Sequence, residues 1–219
     1  MRNLCPVCNY SGVFMNFRGR ARAKCPGCAA LERHRLMWLY WQQRTNLFDG
    51  TPKRMLHMAP EPCFRQRLNK VPGLEYLTGD LNPKAARAMR KLNLCRLDLP
   101  DASFDVVHAS HVLEHIHDDL AAMREIRRVL KPTGWAILQV PLRLGEGTYR
   151  DPKARTPKAR QRAHGQQNHV RWYGSLDYPN RLAEAGLQVT VDNFVESLPD
   201  ELVARYHVHR HEMIYLCRP

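Results

Sequence analysis

Two pairs of cysteines, Cys5-Pro-Val-Cys8 and Cys25-Pro-Gly-Cys28, stand sixteen residues apart near the start of the chain. Each Cys-x-x-Cys can present two thiolates to one ion from a tight turn, and two such turns complete the tetrahedral sulfur set of a structural zinc site. Cys5, Cys8, Cys25 and Cys28 are therefore the expected metal ligands of a zinc-ribbon-like module over residues 1–30. Zinc binding would supply about 10 to 16 kcal/mol to a segment too short to obtain its stability from a core. Cys63, Cys95 and Cys217 have no matching partners and read as buried thiols.

Imidazoles form the second group able to do chemistry. His111 and His115 flank Glu114 in Ser110-His111-Val112-Leu113-Glu114-His115, but the order is not His-Glu-x-x-His, so the spacing builds no zinc-protease helix. His164 and His169 lie in a long polar connection, where an imidazole titrating near neutrality could take a proton from a hydroxyl. His207, His209 and His211 alternate and would share one face of an extended edge strand in solvent.

The surrounding pattern says what positions these groups. Apolar runs at 54–58, 75–80, 94–97, 104–109 and 135–140 read as strands, and helical stretches separate them: Pro62 to about Asn69, Pro83–Lys91 and Leu120–Leu130. Lys131-Pro132-Thr133-Gly134 is expected to end the third of these helices. A helix at 176–185 and strands at 188–195 and 213–217 close the chain. Such alternation predicts an α/β, doubly wound sheet, whose ligands sit beyond the carboxyl ends of its strands. Before it, Ala29–Arg44 reads as a helix with Leu31, Trp38 and Trp41 on a broad apolar face. Its run Glu32-Arg33-His34-Arg35 is either a solvated face or a set of residues aimed at the site. The expected division is thus a zinc module over 1–30, a connecting helix over 31–50, and a main domain over 51–219 with a lid insertion at about 143–174.

A net charge of +13 favours polyanionic partners, and the excess is concentrated. Residues 1–54 carry ten Lys and Arg against Glu32 and Asp49, and 143–171 carry eight against Glu146 and Asp151. No long apolar run or cleavable signal is visible in 219 residues, so a cytoplasmic protein without membrane insertion is expected. The sequence sets no oligomeric state.

The stretch Leu97–Leu142, with its His-Val-Leu-Glu-His run after the fourth strand, resembles the later motifs of class I (seven-stranded, type 11-like) S-adenosylmethionine-dependent methyltransferases. Together with the turn Leu56-His57-Met58-Ala59-Pro60-Glu61 and the segment His169-Val170-Arg171-x-Tyr173-Gly174, the chain is similar to a subgroup carrying an N-terminal four-cysteine head. The resemblance spans about 54–218. It implies a Rossmann-like seven-stranded sheet and transfer of a methyl group from S-adenosyl-L-methionine to an O or N acceptor. It also implies a cofactor site made of His57, Ala59 and Glu61 after the first strand, Asp80 and Leu81 after the second, Asp98 and Leu99 after the third, and Ser110 and His111 after the fourth. By the same resemblance Glu61 meets the cofactor's amino group, Asp98 and Leu99 the adenine, and Ser110 and His111 form the floor beneath the methyl group. Asp80 follows His57 by twenty-three residues, close to the interval at which an acidic residue grips ribose hydroxyls. His111, His164 and His169 are the catalytic candidates. The first turn departs from the family: its glycines are missing, and His57 stands where an acidic residue is common.

Two acceptor classes follow. One is a small molecule, with an anionic one suited to the basic insertion. The other is nucleic acid, met by an RNA-directed methyltransferase or by a nucleic-acid-binding zinc protein with a degenerate cofactor site. The basic head favours the second class, while no base-stacking or amino-methylation motif follows the fourth strand.

Overall fold

The computed structural model describes residues 2–219. In chain order the elements are β1 (Asn3–Leu4), β2 (Ser11–Gly12), β3 (Met15–Phe17), β4 (Arg20–Lys24), α1 (Glu32–Arg44), β5 (Lys53–Met58), α2 (Pro62–Leu68), β6 (Leu74–Asp80), α3 (Pro83–Ala86) and β7 (Arg90–Lys91). They continue with β8 (Phe104–Ser110), a 3-10 turn at Leu113–His115, α4 (Asp119–Val129), β9 (Leu130–Gln139), β10 (Leu142–Arg143), α5 (Pro157–His164), β11 (Tyr173–Gly174) and α6 (Tyr178–Glu184). The last are β12 (Gln188–Asp192), a 3-10 turn at Phe194–Ser197, α7 (Asp200–Tyr206) and β13 (Ile214–Arg218). No helix among the described residues is long and apolar enough to cross a membrane.

These elements sort into two compact units. One gathers residues up to Lys53 with Pro60–Tyr76 and Asp192–Ile214; the other comprises Arg54–Ala59, Leu77–Val191 and Tyr215–Pro219. The first unit is built on α1. Its apolar face expels Leu36, Tyr40 and Trp41 from water, and Trp41 packs 4.7 Å from Phe64 of α2 while Tyr40 meets Phe194 edge-on at 5.3 Å. The run Glu32–Arg35 turns inward within this unit. Glu32 is buried beside Arg20 and His209, each at 3.4 Å. Arg35, with 0 % exposure, spends its guanidinium on four carbonyls: Ala23 at 3.0 Å, Ala30 at 2.8 Å, Tyr206 at 2.6 Å and His207 at 2.7 Å. It thereby ties the cysteine-bearing segment to α1 and α7. His207 ends α7 in the left-handed region at φ 50°, so the three alternating histidines do not share an extended strand.

The second unit holds the sheet, whose seven strands run in the order β12-β13-β9-β8-β5-β6-β7. The ladders β5–β8, β8–β9 and β6–β7 are parallel and β13 lies antiparallel to β9. This is a Rossmann-like α/β sheet of mixed direction, and its order reverses between β5 and β8. Val106, Val107, Ala136, Ile137 and Leu138 have 0 % exposure, the near-continuous apolar run of strands buried on both faces.

Two elements differ from the sequence expectation. The helix expected over Pro83–Lys91 stops at Ala86, because Arg87 enters the left-handed region at φ 51°. Arg90–Lys91 then supplies the short third strand, and Leu94–Leu97 forms no strand. Lys131-Pro132-Thr133-Gly134 also does more than end a helix: β9 begins at Leu130 and runs through it. Gly134 permits this, since a Cβ there would stand 3.0 Å from the carbonyls of Phe104 and Asp105.

Candidate active site

The cysteine knuckles repeat one geometry. Cys5 N donates to Tyr10 O and Asn9 N to Cys5 O; Cys25 N donates to Ala30 O and Ala29 N to Cys25 O. Asn9 and Ala29 both take positive φ, 61° and 63°, which curls each turn back over its sulfurs. The four Sγ atoms lie within 4.8 Å of one another, with Cys5–Cys28 at 3.7 Å and Cys8–Cys25 at 3.6 Å. Those separations match the edges of a tetrahedron with metal–sulfur bonds of about 2.3 Å. Hydrogen bonding to Cys28 pulls the Cys5 thiol down, and the same contact with burial pushes Cys28 up.

In the second unit a cavity of about 370 Å³ opens where the strand order reverses. Four successive parallel strands end on it. Met58 ends β5 and Ala59 follows it, Asp80 ends β6 and Leu81 follows it, Leu92 to Cys95 follow β7, and His111 and Val112 follow β8. His115, Ile116 and His117 complete the wall. A mostly apolar hollow of this size with a few convergent polar groups suits an organic ligand.

The backbone is shaped for close approach here. Ala59, at φ 49°, donates its amide to Gly79 O at 2.8 Å, and His111, at φ 56°, donates to Gln139 O at 2.8 Å. Non-glycine residues at positive φ are uncommon, and two on one cavity mark a place where the fold holds strain. Gly79 lets Leu92 enter, because a Cβ would fall 2.5 Å from Leu92 Cδ1. Asp80 accepts from Asn82 N at 2.6 Å, which fixes its carboxylate at the rim.

Of the residues expected to hold cofactor, Ala59, Asp80, Leu81 and His111 line this cavity. Asp98 and Leu99 do not. With the third strand at Arg90–Lys91, the residues crossing its carboxyl end are Leu92 to Cys95, and Asp98 stands in solvent 3.7 Å from Arg90. Asn93 and Leu94 line the cavity at that strand end. His57 is buried within β5, 4.9 Å from the ring of His108, and Ser110 pairs with Gln139 at the end of β8. Glu61 belongs to the first unit, where it precedes α2 with Pro62 in the first turn and stands 3.9 Å from His34.

The insertion is a packed structure. Thr156 caps α5, and Tyr149 and Trp172 form a bridge. Its far end is fastened to the segment after β8: Val170 N donates to Glu114 O at 2.9 Å and Arg171 to His117 O at 2.8 Å. Asp119, 1 % exposed, gathers Arg171, Arg181 at 2.6 Å and the hydroxyl of Tyr173 at 2.5 Å. Burial raises the Asp119 carboxyl, yet the bonds from Arg181 and Tyr173 and the charge of Arg171 prevail and hold it at about 2. His164 is buried, its Nε2 accepting from Asp151 N at 3.2 Å, and is not among the cavity-lining residues. His169 is buried too, and burial lowers its pKa. No local sequence signal could have joined Asp119 to Arg171 and Arg181, whereas Leu92-x-Leu94 after a strand is a pattern that could have pointed to the cavity wall.

Residues 61–138 match the family model described as Methyltransferase domain. A protein of Mycolicibacterium smegmatis named "Probable S-adenosylmethionine-dependent methyltransferase" is 37% identical over 86 residues, 37% of this chain and 34% of its own length. The uncharacterised protein YafE of Escherichia coli is 35% identical over 106 residues, 48% of each chain. The chain thus spans less than half the length of these curated relatives. Among solved structures, an S-adenosylmethionine-dependent methyltransferase from Mesorhizobium loti superposes with a TM-score of 0.53 at 17% identity, covering 78% of this chain and 92% of that one. That likeness shows the shared fold.

Proposed function

We propose that the protein transfers the methyl group of S-adenosylmethionine to an O or N acceptor. One observation supports this above the others: the carboxyl ends of β5, β6, β7 and β8 converge on one cavity that carries Ala59, Asp80 and Asn93 in the order the cofactor would need. Asp80 takes the ribose hydroxyls, Asn93 and Leu94 the adenine, and the Ala59 backbone lies against the amino-acid part. His57 and Ser110 support the strand ends, and His111 faces the transferred methyl. The cofactor supplies an electrophilic methyl, and the chain's task is alignment, which in near-attack geometry contributes about 7 to 11 kcal/mol. Cys5, Cys8, Cys25 and Cys28 hold a structural zinc ion.

The acceptor we favour is a small molecule bound beside His111. An RNA acceptor draws on the exposed Lys153, Arg155, Lys158 and Arg162 of the insertion. Calorimetry with S-adenosylhomocysteine tests the cofactor reading, with binding expected in the zinc-loaded protein and strongly weakened in Asp80→Ala. RNA binding that falls steeply with salt would favour the second acceptor, and indifference to RNA near physiological salt would remove it.

A further inference from the structure

Behind the cavity wall lies a buried carboxylate for which no hydrogen-bond donor is found. Glu114 is 1 % exposed, and neither of its oxygens has a hydrogen-bond partner among the described residues. Three imidazoles surround one of those oxygens: His111 Nδ1 at 3.4 Å, His115 Nε2 at 4.0 Å and His169 Nε2 at 4.0 Å. One ligand atom each from Glu114, His115 and His169 falls within a mutual 4.8 Å. A buried anion needs a counter-charge.

We propose that Glu114, His115 and His169 bind a divalent transition-metal ion of the zinc class, at a site separate from the four cysteines. The donor set, two imidazoles and one carboxylate, is one that zinc and iron sites use when further positions are kept for water or substrate. Second contacts orient the ligands as metal sites require. His115 Nδ1 lies 3.1 Å from Asn168 O, so it carries the proton and leaves Nε2 as a lone pair toward Glu114. Val170 N holds the Glu114 backbone carbonyl at 2.9 Å, bringing His169 to the cluster from far along the chain. His169 is buried with Glu114, its Nε2 4.0 Å from the carboxylate oxygen, so both donors face the same dry pocket. The absent His-Glu-x-x-His spacing is no obstacle, because Glu114 and His115 are neighbours in a 3-10 turn and the third ligand comes from the insertion. His115 also lines the cavity, so the ion would sit beside any ligand held there.

Metal content of the intact, zinc-supplemented protein, measured after exhaustive dialysis, tests this. About two ions per chain are expected for the native protein and about one for His169→Ala, His115→Ala or Glu114→Gln. Cobalt substitution should give intense sulfur charge-transfer bands in all four proteins and a weak nitrogen/oxygen-site visible spectrum in the native protein alone. If His169→Ala fails to fold, the more exposed His115→Ala decides. About one ion per chain in the native protein, or a second ion retained by folded variants at native affinity, would overturn the proposal. The count does not depend on cofactor binding, so it stands or falls separately from the methyltransferase reading.

Discussion

The amide of Ala59 donates to the carbonyl of Gly79 across 2.8 Å, and this bond holds Ala59 in the left-handed region at φ 49°. An L residue there carries about 1 to 2 kcal/mol of strain, part of which glycine returns in lost chain entropy. Ala59→Gly should therefore gain up to about 1 kcal/mol in urea denaturation and keep cofactor binding. Ala59→Val, β-branched at the same φ, should lose both. A stabilising valine would contradict the geometry of this turn.

Three acidic or amide residues separate the proposed cofactor site from the one expected from sequence. Asp80→Ala should weaken S-adenosylhomocysteine binding by roughly 10- to 150-fold, the loss of a charged hydrogen bond of about 1.5 to 3 kcal/mol. Asn93→Ala should weaken it by roughly 5-fold, a neutral bond of about 1 kcal/mol. Asp98→Ala should leave the affinity unchanged, since its side chain is fully exposed. Equal losses at Asp98 and Asn93 would return the adenine to Asp98.

Three of the four strands that carry the site are legible because β5, β6 and β8 are short apolar runs bounded by turn residues, and Asp80 stands out by its interval from His57. The third strand is not legible, because Leu94–Leu97 is more apolar than Arg90–Lys91. A two-residue edge strand of basic residues has no hydrophobic signature, and the expected strand end at Asp98 lies beyond the one the structure has. The inward run Glu32–Arg35 defeats sequence reading for another reason: charged residues are normally solvated, and only the tertiary carbonyls around Arg35 make burial tolerable. Glu114, His115 and His169 converge through backbone bonds between distant segments, which no spacing rule records.

Acid should loosen the insertion through Asp119. Its folded carboxyl at about 2 lies below its ordinary value, so the stability it contributes is complete above about pH 4 and is lost as pH falls through 2. The contribution is of the order of 2 kcal/mol. Asp119→Asn should remove that acid-dependent part and, by leaving Arg171 buried without its carboxylate, cost about 3 to 5 kcal/mol in all. Denaturation at pH 7 and pH 3 checks both; equal pH dependence in the two proteins would contradict the assignment.

Arg35 should be as necessary to the first unit as the proposed zinc. Arg35→Lys keeps the charge but cannot reach the carbonyls of Ala23, Ala30, Tyr206 and His207 together, so a loss of several kcal/mol, about 3 or more, is expected. Hydrogen exchange should show β1 to β4 unprotected in this variant and in chelated protein. Full protection after chelation would contradict the four-cysteine zinc site.

Titration calorimetry of the zinc-loaded protein with S-adenosylhomocysteine decides whether the cavity holds the cofactor. Saturable one-to-one binding is expected, lost or strongly weakened in Asp80→Ala and preserved in Asp98→Ala. No binding by intact, folded protein would rule out a methyl transfer from S-adenosylmethionine.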